Sequence, residues 1–222
     1  MIPDRREFPR GGTIAVAWPL VFPLVRRAAL FLAPVRVHGL EHVPRSGAFI
    51  LVSNHVSGID PFWVEFVVGR AIRWMAKREL FAVPLLGGFI RWIGCFPVNR
   101  GSADRRAMAE GLRLLGEGAP IGIFPEGHRS DDGGLIRAHP GVGYFAQRSG
   151  ARILPIGVSG SRTARVGRFW RCDIELRIGA PFPVTDLPEA AGRDQQALAD
   201  AIMRRIAGLI PESQHGVYRT LD

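Results

Sequence analysis

The most reactive stretch of this chain is Asn54-His55-Val56-Ser57-Gly58-Ile59-Asp60-Pro61. An imidazole titrates near neutrality and can take a proton from a hydroxyl. A carboxylate reached across a tight turn eased by Gly58 can hold one ring nitrogen and stabilise the imidazolium, which is the His–Asp half of a nucleophilic triad. The chain has no G-x-S-x-G elbow to present a serine nucleophile, so the expected nucleophile is a substrate hydroxyl. Asp60 before Pro61 also reads as a helix N-cap followed by proline at the first helical position, and both roles can hold together. A second stretch is Phe124-Pro125-Glu126-Gly127-His128-Arg129-Ser130. There Glu126 can accept from polyol hydroxyls and Arg129 can fork onto a phosphate, though a local ion pair on a turn explains the two equally well. Lys77 and Arg100 are further basic groups. Each alone reads as a solvated charge; with Arg129 they could converge on one phosphate.

Elements that would position these groups can be read from the pattern. Apolar runs at 35–38, 48–53, 72–76, 95–98, 120–124 and 153–158 predict strands, and 173–178 an alternating one. The run at 48–53 (AFILVS) is apolar throughout, as in a strand buried on both faces. Helices are predicted at 61–68, 84–93, 102–115 (with Ser102 as N-cap), 141–148 and 194–210. Strands alternating with helices predict an α/β fold, a central mainly parallel or mixed sheet flanked by helices. In such sheets ligands bind beyond the carboxyl ends of strands, which is where residues 54–60, 77, 99–100, 124–130 and 159 fall.

The chain has 222 residues, 47% of them hydrophobic and 22% charged. That is enough for one domain with a sizeable core, and it excludes disordered, collagenous and coiled-coil classes. Two cysteines exclude a disulfide scaffold and a Cys-rich zinc site. Lys+Arg exceeds Asp+Glu by 29 to 20, a net charge of +9. Such a chain is drawn to polyanions: nucleic acid, an anionic membrane surface or phosphorylated substrates. Nucleic acid is disfavoured, because few aromatics interleave the arginines and no binding motif is present.

Residues 13–35 (TIAVAWPLVFPLVRRAALFLAPV) are apolar but cut by Arg26 and Arg27. The pieces are too short to span a bilayer, and no clean signal-peptide cleavage site follows. The expectation is one or two short helices lying in the bilayer interface, with the arginines at headgroups and Trp18, Phe22 and Phe31 dipping inward; the plainer alternative is a helix packed on the core. The domain reading is therefore residues 1–34 as interfacial helices and 35–222 as the catalytic domain.

The four segments 54–60, 94–100, 124–130 and 153–159, linked by Lys77-Arg78-Glu79-Leu80, resemble in order and spacing the four motif blocks of the glycerolipid acyltransferase family. Its best-known members are 1-acylglycerol-3-phosphate O-acyltransferases. The resemblance spans about half of the chain. It implies acyl transfer from acyl-CoA or acyl-carrier protein, as co-substrate, to a lysophospholipid hydroxyl, with no metal, no cofactor and no covalent acyl-enzyme. It implies His55 as general base, oriented by Asp60; Arg100 and Arg129 on the acceptor phosphate; Glu126 and Gly127 at the glycerol; and Pro155 with its apolar neighbours shaping the acyl-donor side. With the apolar segment 13–35 and the basic charge, the expected location is peripheral or monotopic, on the cytoplasmic face of the cell membrane. Asn99 and His128 stand where the family usually has Asp and Thr, which leaves open another lyso-lipid acceptor. A non-catalytic lipid-binding protein on the same fold is the alternative in another class, and the intact His55/Asp60 pair weighs against it.

Overall fold

Seven strands stand side by side in the order β1-β7-β6-β2-β5-β3-β4, in a computed structural model that describes residues 13–32, 35–99, 104–163 and 173–219. Arg100, Ser102 and Cys172 lie outside the described residues, as does the side chain of Trp18. The strands are β1 (Val35–His38), β2 (Ile50–Ser53), β3 (Arg73–Lys77), β4 (Phe96–Val98), β5 (Ile121–Ile123), β6 (Ile153–Ser159) and β7 (Ile174–Ile178). The helices are α1 (Thr13–Leu32), α2 (Asp60–Val68), α3 (Leu86–Trp92), α4 (Arg105–Gly116), α5 (Gly141–Ser149) and α6 (Gln195–Ala207). β2 to β6 run parallel; β7 is antiparallel to β6, and β1 follows β7. The sheet is thus mixed, and its five parallel strands deliver their carboxyl ends to one edge.

Burial explains why these runs are strands. All four residues of β2 are buried. Ile50 and Val52 join the core beneath α4, α5 and α6, whereas Phe49 and Leu51 join the core beneath α1 and α2. Alternation of side chains across the pleat splits one continuous apolar run between two layers. Each such aliphatic side chain taken out of water contributes about 1.5–3 kcal/mol before entropy is counted. Pro155 occupies the middle of β6 opposite Val52. Its carbonyl accepts from Gly179 just past β7, so its missing N–H falls where the antiparallel ladder ends and does no harm.

The termini of the helices depart from the sequence reading in two places. The N-cap of α4 is Asp104, whose side chain accepts from the Arg106 and Ala107 amides. Asp60 is not an N-cap either: the Phe62 and Trp63 amides go to the Ile59 carbonyl, and the Asp60 carboxylate turns back into the preceding loop. The N-terminal segment is a single 20-residue helix, the first of the two forms expected. Phe22 is buried, in a cluster with Ala71 and Ile93, with its ring 5.9 Å from that of Phe66. Arg26 donates to the Phe66 carbonyl in the last turn of α2, where a cation suits the helix end. Both are thus taken up by packing on α2, whereas Leu24 and Phe31 are exposed. Among the described residues no helix is long and apolar enough to cross a membrane.

Gly122 of β5 lies opposite Trp74 of β3, and a Cβ there would run into the indole ring. Gly122→Ala should therefore cost about 1–3 kcal/mol, as overpacking does, read as a lower urea midpoint at unchanged m-value.

Candidate active site

At the end of β2 the Asn54 side chain is fully buried. Its amide donates to the Val158 carbonyl at 2.8 Å and its oxygen accepts from the Val158 N–H at 2.7 Å. This pair extends the β2–β6 pairing by one step through a side chain, and it fixes where the next residue begins. That residue is His55. Its Nδ1 lies 3.1 Å from Asp60 Oδ2. The same oxygen accepts from the amides of Val56 at 2.8 Å and Ser57 at 2.6 Å. Asp60 Oδ1 accepts from the Ser161 hydroxyl at 2.6 Å. Asp60 and Ser161 are both fully buried, and His55 is 8% exposed. Ser161 follows β6 and was not singled out by sequence reasoning; the signal available was only its place just past the end of a parallel strand, beside Gly160.

A second carboxylate braces the same loop from β5. Glu126 accepts from the His55 amide at 2.9 Å through Oε1 and from the Ile136 amide at 3.1 Å through Oε2. The Ser130 amide donates in turn to the His55 carbonyl at 2.9 Å. Glu126 is 1% exposed, and its carboxylate braces the backbone under His55. Burial pushes its carboxyl up to about 7, against the two backbone hydrogen bonds, while the Asp60 charge adds to the rise. Gly127 has φ +72°, and a Cβ there would meet the His139 ring at 2.6 Å; the turn needs glycine on both counts.

The imidazole is also held by stacking. The His55 ring lies on Phe124, centroids 4.1 Å apart and planes at 20°. Phe124 lies on Trp74 at 4.9 Å and 11°. The Trp74 indole donates to Glu65 Oε2 at 3.1 Å. Glu65 sits inside α2, where burial raises its carboxyl to about 8, opposed by the Trp74 hydrogen bond and the Arg73 charge. Sequence reasoning placed Phe124 only at the head of its motif block and did not single out Trp74 or Glu65, because the column that links them to His55 crosses three separate elements.

The basic groups are distributed less tightly. Arg129 is exposed, and its guanidinium lies against Gly58, in the loop carrying His55 and Asp60. Lys77 closes β3 at the same sheet edge, 45% exposed and 3.3 Å from Glu79. Arg100 lies outside the described residues. His128 is exposed, with Nδ1 3.1 Å from the Arg129 carbonyl oxygen, and Asn99 donates its amide to Asp104. Pro155 is buried within the sheet, four positions short of the strand end. Among the described residues no three His, Cys, Asp or Glu side chains converge to hold a metal ion. An open depression lined by Arg137, Asp200, Arg204 and Tyr218 lies at α6 and involves none of these loops.

Glu65 supplies a stability test. Its carboxyl ionises near 4.5 when unperturbed and near 8 in the fold. Between those values the unfolded chain has released a proton that the folded chain keeps. The stability owed to this group is therefore complete below about pH 4.5 and is lost as the pH rises through about 8. Glu65→Gln, which keeps an acceptor for the indole, should flatten the decline in unfolding free energy between about pH 5 and pH 8. Urea titrations across that range check it; equal slopes in variant and parent would refute it.

Comparison with known proteins agrees with this geometry. Residues 34–159, more than half of the chain, match the Acyltransferase family. The 1-acyl-sn-glycerol-3-phosphate acyltransferase of Bacillus subtilis is 29% identical over 178 residues, 79% of this chain and 87% of that one. The chloroplastic 1-acyl-sn-glycerol-3-phosphate acyltransferase LPAT1 of Arabidopsis thaliana is 31% identical over 57% of this chain, which spans only 36% of that protein. The crystal structure of the 1-acyl-sn-glycerophosphate acyltransferase PlsC from Thermotoga maritima superposes with a TM-score of 0.67 at 24% identity, covering 92% of this chain and 85% of that one, and so shares the fold. The match takes in β1 to β6 and the loops after β2 and β5 that carry His55, Asp60 and Glu126, and on that ground the chain belongs to the acyltransferase family and is an acyltransferase.

Proposed function

We propose that this protein transfers a fatty acyl group from acyl-CoA or acyl-carrier protein to the free hydroxyl of a lysophospholipid, with 1-acylglycerol-3-phosphate as acceptor and phosphatidic acid as product. The observation that carries the reading is the His55 Nδ1–Asp60 Oδ2 contact of 3.1 Å. It commits Nδ1–H to the carboxylate and leaves Nε2 to take a proton. The relatives named above as 1-acyl-sn-glycerol-3-phosphate acyltransferases support this acceptor.

In this mechanism Nε2 removes the acceptor hydroxyl proton as the oxygen attacks the thioester carbonyl. The tetrahedral adduct collapses, the C–S bond breaks, and the imidazolium returns the proton to the departing thiolate. The acyl group passes directly to the acceptor, so the chain needs no nucleophile of its own. Asp60 stabilises the transient imidazolium, and its remaining bonds to Val56, Ser57 and Ser161 keep it from turning away. Glu126 serves by holding the His55 backbone, and Gly127 by making that turn possible. Arg129 and Lys77, at the same edge, receive the acceptor phosphate. Arg100 is assigned to the same phosphate from its motif block alone, and Pro155 to the apolar wall on the donor side. The exposed Leu24 and Phe31 of α1 and the net charge of +9 support peripheral attachment to an anionic, cytoplasmic membrane face, with residues 1–34 as the interfacial part and 35–222 as the catalytic part.

His55→Ala should lower turnover by about 10²–10⁴-fold with an unchanged circular dichroism spectrum, measured as thiol release with acyl-CoA and lysophosphatidic acid. A folded variant that turns over like the parent would end the base assignment. Arg129→Ala should act on the acceptor, raising its KM about 10- to 100-fold for loss of a charge-assisted phosphate contact. If the variant and parent discriminate equally between phosphorylated and dephosphorylated acceptors, the phosphate contact lies elsewhere.

A further inference from the structure

Leu85 is held in a conformation that leucine avoids. It has φ 63° and ψ −50°, and among the described residues it alone combines positive φ with a side chain. The Leu86 amide donates to the Pro84 carbonyl at 2.7 Å, closing a three-residue γ-turn of the rare positive-φ kind. The turn leaves Leu85 93% exposed. Strain kept in a fold in order to hold a large apolar group in water points to a contact surface.

Its neighbours have the same character. Leu80, Val83, Leu86 and Phe89 are each 38–44% exposed, so five large apolar side chains reach solvent within residues 80–89. Their rim is basic. Lys77 and Arg78 precede them, 45% and 48% exposed, and Arg91 follows, its guanidinium over the Phe81 ring. Glu79 is the one carboxylate in residues 77–92. An apolar tip ringed by cations is complementary to an anionic lipid surface, whose headgroups meet the charges while its acyl region takes the tip. The location fits as well. The turn begins the crossover from β3 to β4, at the carboxyl edge to which β2 delivers His55. Phe89 stacks on Phe62, 6.1 Å away, and Phe62 is two residues beyond Asp60.

We infer that segment 80–89, with Leu85 at its tip, inserts into the surface of an anionic lipid bilayer. It is a second membrane contact besides α1, and it seats the His55 edge against the lipid. The purpose of this contact rests on the lipid-acceptor reading above: an acceptor that lives in the bilayer then reaches His55 without being extracted.

The test uses full-length protein and sedimentation with vesicles of phosphatidylcholine and phosphatidylglycerol at low salt. Leu85→Asp should weaken partitioning about tenfold or more, the loss expected for one buried leucine. Leu85→Gly should also weaken it while raising the thermal midpoint, because glycine adopts positive φ without strain. Opposite signs for binding and stability are what a merely structural leucine would not give. Turnover of both variants on a short-chain acceptor held below its micellar concentration should equal that of the parent. A parent inactive on every lyso-lipid would fell the acceptor reading while leaving the docking result standing. Parental partitioning of both variants would overturn the inference. So would intact vesicle binding combined with lost self-association, which would give the surface to a second copy of the chain, or with selectively poorer use of acyl-carrier protein, which would give it to an acidic protein.

Discussion

The buried Asp60 carboxylate is the point on which the site depends. Removing a carboxylate from water is costly, by several kcal/mol in a folded protein, and Asp60 is fully buried. The expense is offset because four groups converge on it: the His55 ring, two loop amides and the Ser161 hydroxyl. Three of them come from the loop after β2 and one, Ser161, from the turn two residues past β6. The loop therefore cannot adopt another path without stranding a buried acceptor, and neither can the turn after β6. The same bonds that make burial tolerable thus set the imidazole's orientation.

A second carboxylate repeats the arrangement from the other side. Glu126 receives the His55 amide, and the Ser130 amide returns to the His55 carbonyl. The main chain of His55 is thereby gripped at both its polar groups by the loop after β5. Strand order makes this possible. β2 lies between β6 and β5, so the loops after those two strands flank the one that carries His55. Asn54 closes the β6 side through its two bonds to Val158. His55 thus stands on a central strand with side-chain or backbone ties to both neighbours, which is how a loop residue acquires the precision of a sheet.

Aromatic packing adds a restraint that hydrogen bonds do not. Phe124 separates His55 from Trp74, and the three rings lie nearly parallel. Gly122 gives the indole its space, and Glu65 gives its N–H a partner. Rotation of the imidazole about its hydrogen bond to Asp60 would break the stack. The column also carries apolar surface up to the ring, so that one face of His55 is covered by Phe124.

The sequence by itself determined most of the architecture, since burial on two faces and burial on one leave different periodicities. The apolar run at β2, the alternation of β7 (IELRI) and the stripe of α6 were legible because each is a local consequence of where the chain lies. The sequence also determined the His55–Asp60 partnership, because five residues and one turn suffice to bring the two together. Tertiary structure alone decided the rest. Ser161 is 101 residues from Asp60 and Glu126 is 71 from His55; no local pattern links them, and only the pairing of β6 and β5 against β2 does. The bracing role of Glu126 was not legible because a carboxylate after a strand is ordinarily solvated, whereas here two backbone amides close over it. Phe22 and Arg26 looked like groups bound for a membrane because hydrophobicity and charge carry no address. Their partners, Phe66 and its carbonyl, are some forty residues away, and only packing of α1 against α2 could assign them.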